Sequence, residues 1–389
     1  MMTMKIAILA YNAHRNCAEG VARIHYNLYS SLRRIGVEVN LISVSDTNFE
    51  KTFMFDNMHE IDPRYETYII LGADRSSSKI MEIGRRILVE DFDILVNGLS
   101  GIKTGAYLRL MKTLGFKRWK FVESLFSRPF NFLDKCRYLM PFTFKVFVYS
   151  LSEYKYLSKV LPFISPHIGL VPPPVDTSHF VKKDKRESLK VLELEELEDR
   201  VLIGYVGNPF PDRLPLYETF KAMRSLASKY DIVFVGVFPP YEGRSFIKTV
   251  NRVARYFGLE KKVYIIEKFI DYHTRPFLYS SFDVLLHLYK WREAPYPFLT
   301  ALEAFSVETP VITTNYNEIK WVLGYLDYPL YIDLAGGVTA ISIKSALETY
   351  FNLRGTQMMR EMLRYIRARI ARLFSLENVG RRVISILKS

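Results

Sequence analysis

Glu293 and Glu303 stand on either side of two prolines in the stretch EAPYPFLTALEAFSVETPVITTN, residues 293–315. A helical pattern follows the prolines, and a β-rich run, PVITT, follows the helix. Two roles suit carboxylates there. Acidic side chains favour the positive end of a helix macrodipole, so a solvated helix start is one reading. A carboxylate is also an acceptor-only group that can take both hydroxyls of a vicinal diol, so the other reading is a grip on a polyhydroxylated ligand.

A second constellation is Gly207-Asn208-Pro209-Phe210-Pro211-Asp212-Arg213, which follows the apolar run VLIGYV. A glycine directly after a buried strand lets a ligand approach the backbone closely. The pattern opens a helix near Pro215, whose free N–H groups, together with Arg213, can converge on a phosphate. The alternative is a plain turn with a surface arginine. Gly20 is a third candidate, opening the helical pattern that begins Val21-Ala22-Arg23.

Several chemistries are poorly supported. There is no G-x-G-x-x-G for a dinucleotide and no G-x-x-x-x-G-K-[ST] for a nucleotide triphosphate. Asp91-Phe92-Asp93 has a metal-holding spacing, but it precedes the strand-like Ile94–Val96 and reads as a strand cap. No other carboxylate or histidine cluster has metal-ligand spacing, so no metal site is expected. The two cysteines, Cys17 and Cys136, make no disulfide framework and fit a reducing compartment.

The elements that must position these residues are legible as an alternation. Apolar strand-like runs occur at 5–11, 38–44, 67–71, 93–98, 120–125 and 145–150. A second set lies at 201–208, 231–237, 262–269, 283–288 and 310–314. Amphipathic helical runs lie between them. Strands this uniformly apolar are buried on both faces, which implies parallel sheets covered by helices. The fold class is α/β, with two Rossmann-like doubly wound domains, whose ligands lie beyond the carboxyl ends of the strands. His167–Lys190 holds three consecutive prolines and then a charged stretch, and reads as a stiff connection. Two such domains across a hinge make a deep cleft, the usual place for a small-molecule site.

At 389 residues, two domains are the natural expectation. The opening MMTMKIAILAYN runs straight into a strand pattern, which predicts no secretory leader, and no apolar run is long enough to span a bilayer. The net charge of +13 points to anionic company. Basic residues concentrate in Thr104–Phe121 and Met358–Phe374, which read as amphipathic helices. Ordinary solvated faces are the plainer explanation, and contact with anionic lipid the sharper one. Nucleic acid is disfavoured, because no nucleic-acid motif accompanies the charge.

Four segments together resemble the retaining glycosyltransferases of family four, which have the two-domain GT-B architecture. PPPVDTSHF, residues 172–180, is similar to the family's P-N-G-V-D-x-x-x-F hinge, and GNPFPDR, residues 207–213, to its G-R-x-x-x-x-K loop. Asp283–Thr313 is similar to the segment carrying two glutamates before E-A-x-x-x-x-x-P-V-I, and Leu373–Val383 to the closing F-S-W-E-x-x-A helix. The resemblance implies a hexosyltransferase that moves a sugar from a UDP-sugar or GDP-sugar to an acceptor hydroxyl. It implies retention of configuration and no metal or other cofactor.

It also implies domains at 1–166 (acceptor side) and 167–362 (nucleotide-sugar side), with C-terminal helices at 363–389 returning to the first. By position, Arg213 would bind the diphosphate, with Gly207 and Asn208 in the same loop. Glu303 would hold the ribose hydroxyls, Glu293 would touch the donor sugar, and Gly20 would lie in the first-domain glycine loop. Many relatives use lipid-linked acceptors. That suggests a sugar, polysaccharide or lipid-linked acceptor and a cytoplasmic protein peripheral on the inner face of the membrane.

The chain departs from the pattern in three places. Nine residues separate Glu293 from Glu303, where the family usually has seven, and Pro295 stands at the usual distance. The family's loop arginine is replaced by Asn208 and its lysine by Arg213. The first-domain strand ends Val96-Asn97-Gly98 and Val122-Glu123-Ser124 carry no histidine. His14, in the loop after the first strand, is the candidate for acceptor contact. His25 reads as a packed or solvated helix residue, and His287, near a strand end, as a residue that can face the donor. The rival functions are a degenerate GT-B protein binding nucleotide or polyanion without turnover, and a nucleotide-sugar epimerase.

Overall fold

Every residue of Ile94–Asn97, Lys145–Val148, Ile232–Val237, Val284–His287 and Val311–Thr314 is buried. That is what strands covered on both faces require. The computed structural model describes residues 4–11, 13, 20–45, 70–71, 92–98, 120–125, 144–207, 211, 213–238, 243–268, 270–290, 298–324 and 326–389. The chain divides into two units, one comprising Met1–Pro174 and Leu376–Ser389, the other Val175–Ala294 and Phe298–Ser375.

In the first unit, β1 (Lys5–Tyr11), β2 (Glu38–Ser45), β3 (Ile70–Leu71), β4 (Ile94–Asn97), β5 (Lys120–Leu125), β6 (Lys145–Val148) and β7 (Ile168–Leu170) form one sheet. Its order is β3-β2-β1-β4-β5-β6-β7 and every pairing is parallel. Helix α1 (Gly20–Arg34) follows β1 and buries Ala22, Ile24, Leu28 and Leu32 at helical spacing. Helix α2 (Leu151–Val160) follows β6, capped by the Ser150 side chain accepting from the Glu153 amide. Asp93 caps β4 as its position suggested: its carboxylate accepts from the Lys5 amide at 2.9 Å, at the amino end of the sheet. Asp91 lies outside the described residues.

Six strands make the second unit's sheet: β8 (Val201–Val206), β9 (Ile232–Val237), β10 (Val263–Ile266), β11 (Val284–His287), β12 (Val311–Thr314) and β13 (Tyr331–Ile332). They are parallel in the order β10-β9-β8-β11-β12-β13. The VDTSHF half of the hinge-like motif opens this unit as a hydrogen-bonded turn. The buried Asp176 carboxylate accepts from Ser178 Oγ at 2.6 Å, the His179 amide at 3.2 Å and Tyr272 Oη at 2.7 Å. The His179 ring stacks on Tyr272 with centroids 3.8 Å apart.

Two short strands, β7 and β13, were not legible in the sequence, because two or three residues carry no period. Strand β7 lies inside the segment read as a stiff connection. By pairing with β6 it extends the first sheet, so the units divide at Pro174/Val175 and not at 166/167. The second boundary also moves. Helix α3 (Gln357–Phe374) stays with the second unit, burying Met359, Leu363, Ile366, Ile370 and Phe374. Ser375 is extended and ends it. Only α4 (Leu376–Lys388), where the sequence suggested 363–389, belongs to the first unit. There it buries Leu376, Val379, Val383 and Leu387, and Glu377 pairs with Arg34 of α1 at 2.9 Å.

Helix α3 is the second basic run. Arg367 pairs with Glu308 at 3.1 Å, and Arg369 donates to the carbonyls of Val322 and Trp321 at 2.8 and 3.2 Å, so these two charges hold the helix to its own unit. Arg360, Arg364 and Arg372 are exposed. In the first basic run, residues 104–119 lie outside the described residues, and Lys120 and Phe121 belong to β5. Among the described residues no helix is long and apolar enough to cross a membrane.

Candidate functional site

In the second sheet, β8 and β11 are neighbours, and the chain runs outward from β8 to β9 and β10 on one side and from β11 to β12 and β13 on the other. The crevice beyond the carboxyl ends of such a pair is where an open parallel sheet receives a ligand. Gly207 and Arg213 follow β8, and His287 to Tyr289 close β11. The sequence candidates on these two strands therefore meet at the switch point.

Gly207 has φ +136, a backbone conformation that L side chains rarely adopt, and its amide donates to the Val237 carbonyl at 3.1 Å. The glycine is therefore set by the turn itself. Arg213 is half-buried, with its guanidinium carbon 5.7 Å from the Tyr289 ring centroid. A helix over Leu216–Leu226 begins just beyond, behind Pro215, and no side chain caps it. A cation and an uncapped helix start thus stand in sequence after the β8 glycine, an arrangement suited to an anion. Asn208 lies outside the described residues.

His287 is buried at the end of β11. Burial first, and the Arg213 charge second, hold its pKa down to about 3, so the imidazole is neutral at physiological pH. Its carbonyl accepts from Thr313 Oγ1 of β12 at 2.9 Å. Tyr316, two residues beyond β12, is fully buried, and burial drives its hydroxyl pKa up. Neither Tyr289 nor Tyr316 stood out in the sequence. Position two residues past an apolar strand is the signal that marks both.

Glu303 does not stand at a solvated helix start. It is the fifth residue of the helix Leu299–Ser306, 1% exposed, and its Oε2 accepts from Tyr279 Oη at 2.8 Å. Glu293 lies outside the described residues, as does His14.

In the first unit the switch point lies between β1 and β4. Gly20 opens α1, and no described residue comes within 4 Å of where a Cβ would stand there. The strand ends that carry no histidine of their own receive one from α1. His25 is fully buried and packs on Gly98, where a Cβ would lie 2.3 Å from its Nε2. Its Nδ1 is 3.1 Å from the Val21 carbonyl and its Nε2 2.9 Å from Ser124 Oγ, which lies 2.9 Å from Tyr149 Oη. Beside them Asn97 Nδ2 donates to Glu123 Oε2 at 3.0 Å.

Burial holds the His25 pKa at about 4. A neutral ring with Nδ1–H on a carbonyl accepts at Nε2, so Ser124 donates to it and Tyr149 donates to Ser124. This is a packed histidine, and sequence reasoning missed the polar layer around it because its members come from β4, β5, the residue after β6 and a helix.

The depressed value has a consequence for stability. Above pH 6.5 His25 is neutral folded or unfolded. Between pH 6.5 and about 4 only the unfolded chain takes the proton, so stability falls as pH drops through that window. The full loss is roughly 3 kcal/mol. The melting temperature of the wild type should therefore fall more between pH 7 and 5 than that of His25→Gln. Parallel curves would count against a buried neutral imidazole.

Two parallel, doubly wound sheets in one chain, each with a switch point, and a C-terminal helix that belongs to the first unit, define the GT-B fold. Solved structures agree over the whole chain. The protein is similar to HepE of Anabaena in complex with UDP and glucose (13% identity, TM-score 0.74, 99% of each chain covered). It is similar to a glycosyltransferase of Rickettsia africae (15% identity, TM-score 0.76, 100% of this chain and 98% of that one). It is also similar to sucrose-phosphate synthase of Thermosynechococcus elongatus (14% identity, TM-score 0.71, 99% and 98%). No family model matches the sequence, and no curated protein matches it by sequence. At these identities the likeness is one of fold.

Proposed function

We propose that the protein is a retaining glycosyltransferase that moves a hexose from a UDP-sugar or GDP-sugar to an acceptor hydroxyl without a metal. The observation that carries the reading is Arg213 at the switch point of the second unit, following the Gly207 turn and preceding an uncapped helix. A departing diphosphate needs positive partners in place before its bond to the sugar breaks, and a fixed arginine beside a helix N-terminus supplies them. HepE, of the same fold, holds UDP and glucose in one structure and UDP-glucose in another.

In this reading Arg213 binds the diphosphate within the Gly207–Asn208 loop, Glu303 takes the ribose hydroxyls and Glu293 contacts the sugar. Gly20 leaves room for the acceptor, and His14 contacts it. A lipid-linked or polysaccharide acceptor at the cytoplasmic face of an anionic membrane suits the net charge of +13 and the exposed Arg360, Arg364 and Arg372.

A thermal-shift panel of UDP, GDP, ADP and their hexose conjugates tests the donor. One nucleotide class should raise the melting temperature, by an amount that grows with ligand concentration. Transfer to an acceptor, with release of the nucleotide, separates a transferase from an epimerase. A shift without turnover on any acceptor would favour the binding-only rival, and no shift with any nucleotide would sink the reading.

A further inference from the structure

Two buried polar atoms stand at the second unit's switch point: Nε2 of His287, which has no hydrogen-bond partner among the described residues, and Oη of Tyr316, which has the Thr313 side chain beside it. A polar atom enclosed without a partner, like His287 Nε2, is rare in folded chains, because it gives up water and gains nothing in return. The His287 and Tyr316 rings are neighbours, with centroids 6.1 Å apart. The ring of Tyr289 packs with its centroid 5.1 Å from each of theirs, and the Arg213 guanidinium lies 5.7 Å from the same ring. The pair thus adjoins the group assigned to the diphosphate, one aromatic ring away from it.

The position is built. The His287 backbone is pinned by Thr313 Oγ1 to its carbonyl, and the Tyr289 amide donates to Thr314 Oγ1 at 3.1 Å. The chemistry of the pair selects among ligand groups. A neutral imidazole and a phenol can each donate and accept, which matches a hydroxyl, also a donor and an acceptor. An anion, which only accepts, is already served by Arg213.

Resting on the donor reading above, we infer that His287 and Tyr316 form a hydroxyl-binding subsite that recognises the sugar moiety of the donor. Tyr289 packs against both rings and lies two residues past β11, outside any helix or strand. Turning its ring aside is the movement that recognition requires. The inference also explains why an unpaired polar atom, Nε2 of His287, persists inside the unit: its stability cost is offset only when the ligand is bound.

The test is calorimetric titration of wild type, His287→Leu and Tyr316→Phe with UDP, GDP, UDP-glucose, UDP-galactose and GDP-mannose, beside their melting temperatures. Both variants should bind the bare nucleotide within about twofold of wild type. Both should lose about tenfold or more for the preferred sugar conjugate, the size expected when a buried polar contact to substrate is removed. His287→Leu should melt at or above the wild-type temperature, since Nε2 has no partner to lose, and Tyr316→Phe slightly below it, since it gives up the Thr313 contact. Lower melting temperatures with sugar preference intact would make the pair structural and overturn the inference. An equal loss for nucleotide and conjugate would show that the pair acts through Arg213, and would overturn it too. If wild type binds no nucleotide, the donor reading fails and takes this one with it. If wild type binds and neither variant changes preference, only this inference fails.

Discussion

Arg213→Ala should weaken nucleotide-diphosphate binding by about 10- to 100-fold, from the loss of one to two charge-assisted hydrogen bonds of about 1.5–3 kcal/mol each, partly offset by water. The effect on turnover should be larger, on the order of 100-fold or more, because charge on the diphosphate grows as the glycosidic bond breaks. Arg213 sits over the Tyr289 ring, and its charge contributes to keeping His287 neutral. Removing it should therefore also raise the His287 pKa, though burial, the larger cause, remains. Arg213→Lys is the control, since it keeps the charge and gives up the planar fork. It should retain more binding than alanine. Wild-type affinity and turnover in Arg213→Ala, with an unchanged melting temperature, would remove the diphosphate from this switch point.

Glu303 should produce the second large effect, and its two substitutions should part company. Glu303→Ala leaves Tyr279 Oη, on a residue 1% exposed, without its acceptor, and should cost about 1–3 kcal/mol of stability. Glu303→Gln keeps an acceptor of the same shape and should fold with little loss. It lacks the charge that favours a ribose diol, however. Wild type should prefer the ribonucleoside diphosphate over its 2′-deoxy analogue by about tenfold or more, and Glu303→Gln should show little preference. Equal preference in both proteins would leave Glu303 as a packing residue bonded to Tyr279 and nothing further.

The pair also shows what a residue pattern conveys and what it does not. In the sequence, Glu303 had two readings of similar chemistry, a solvated helix start and a grip on hydroxyls. The structure starts the helix at Leu299, which places Glu303 in its second turn and inside the unit, and this removes the first reading. Period alone locates a helix to within a turn. Whether a carboxylate on it faces water or protein depends on what packs against it, here Tyr279 from the helix before β11.

The sequence by itself determined the architecture. Runs such as IVFVGV and VLLH have no polar face, so they had to lie between helices in parallel sheets, and the Gly207 turn and Arg213 followed from their place after one of them. What only the tertiary structure decided is which residues from distant segments share an environment. β7 and β13 exist because neighbouring strands offered an edge, and β7 moved the division of the units to Pro174. The first unit's strand ends have no histidine of their own, yet His25 reaches them from α1, because Gly98 leaves room for its ring and Ser124 donates to its Nε2. His287, Tyr289 and Tyr316 became one cluster through the register of β11 on β12, which pairs His287 with Thr313. Hydrophobic periodicity is a local property of the chain and survives in one dimension. The pairing of buried polar groups is set by strand order and register, which join residues that no local pattern links.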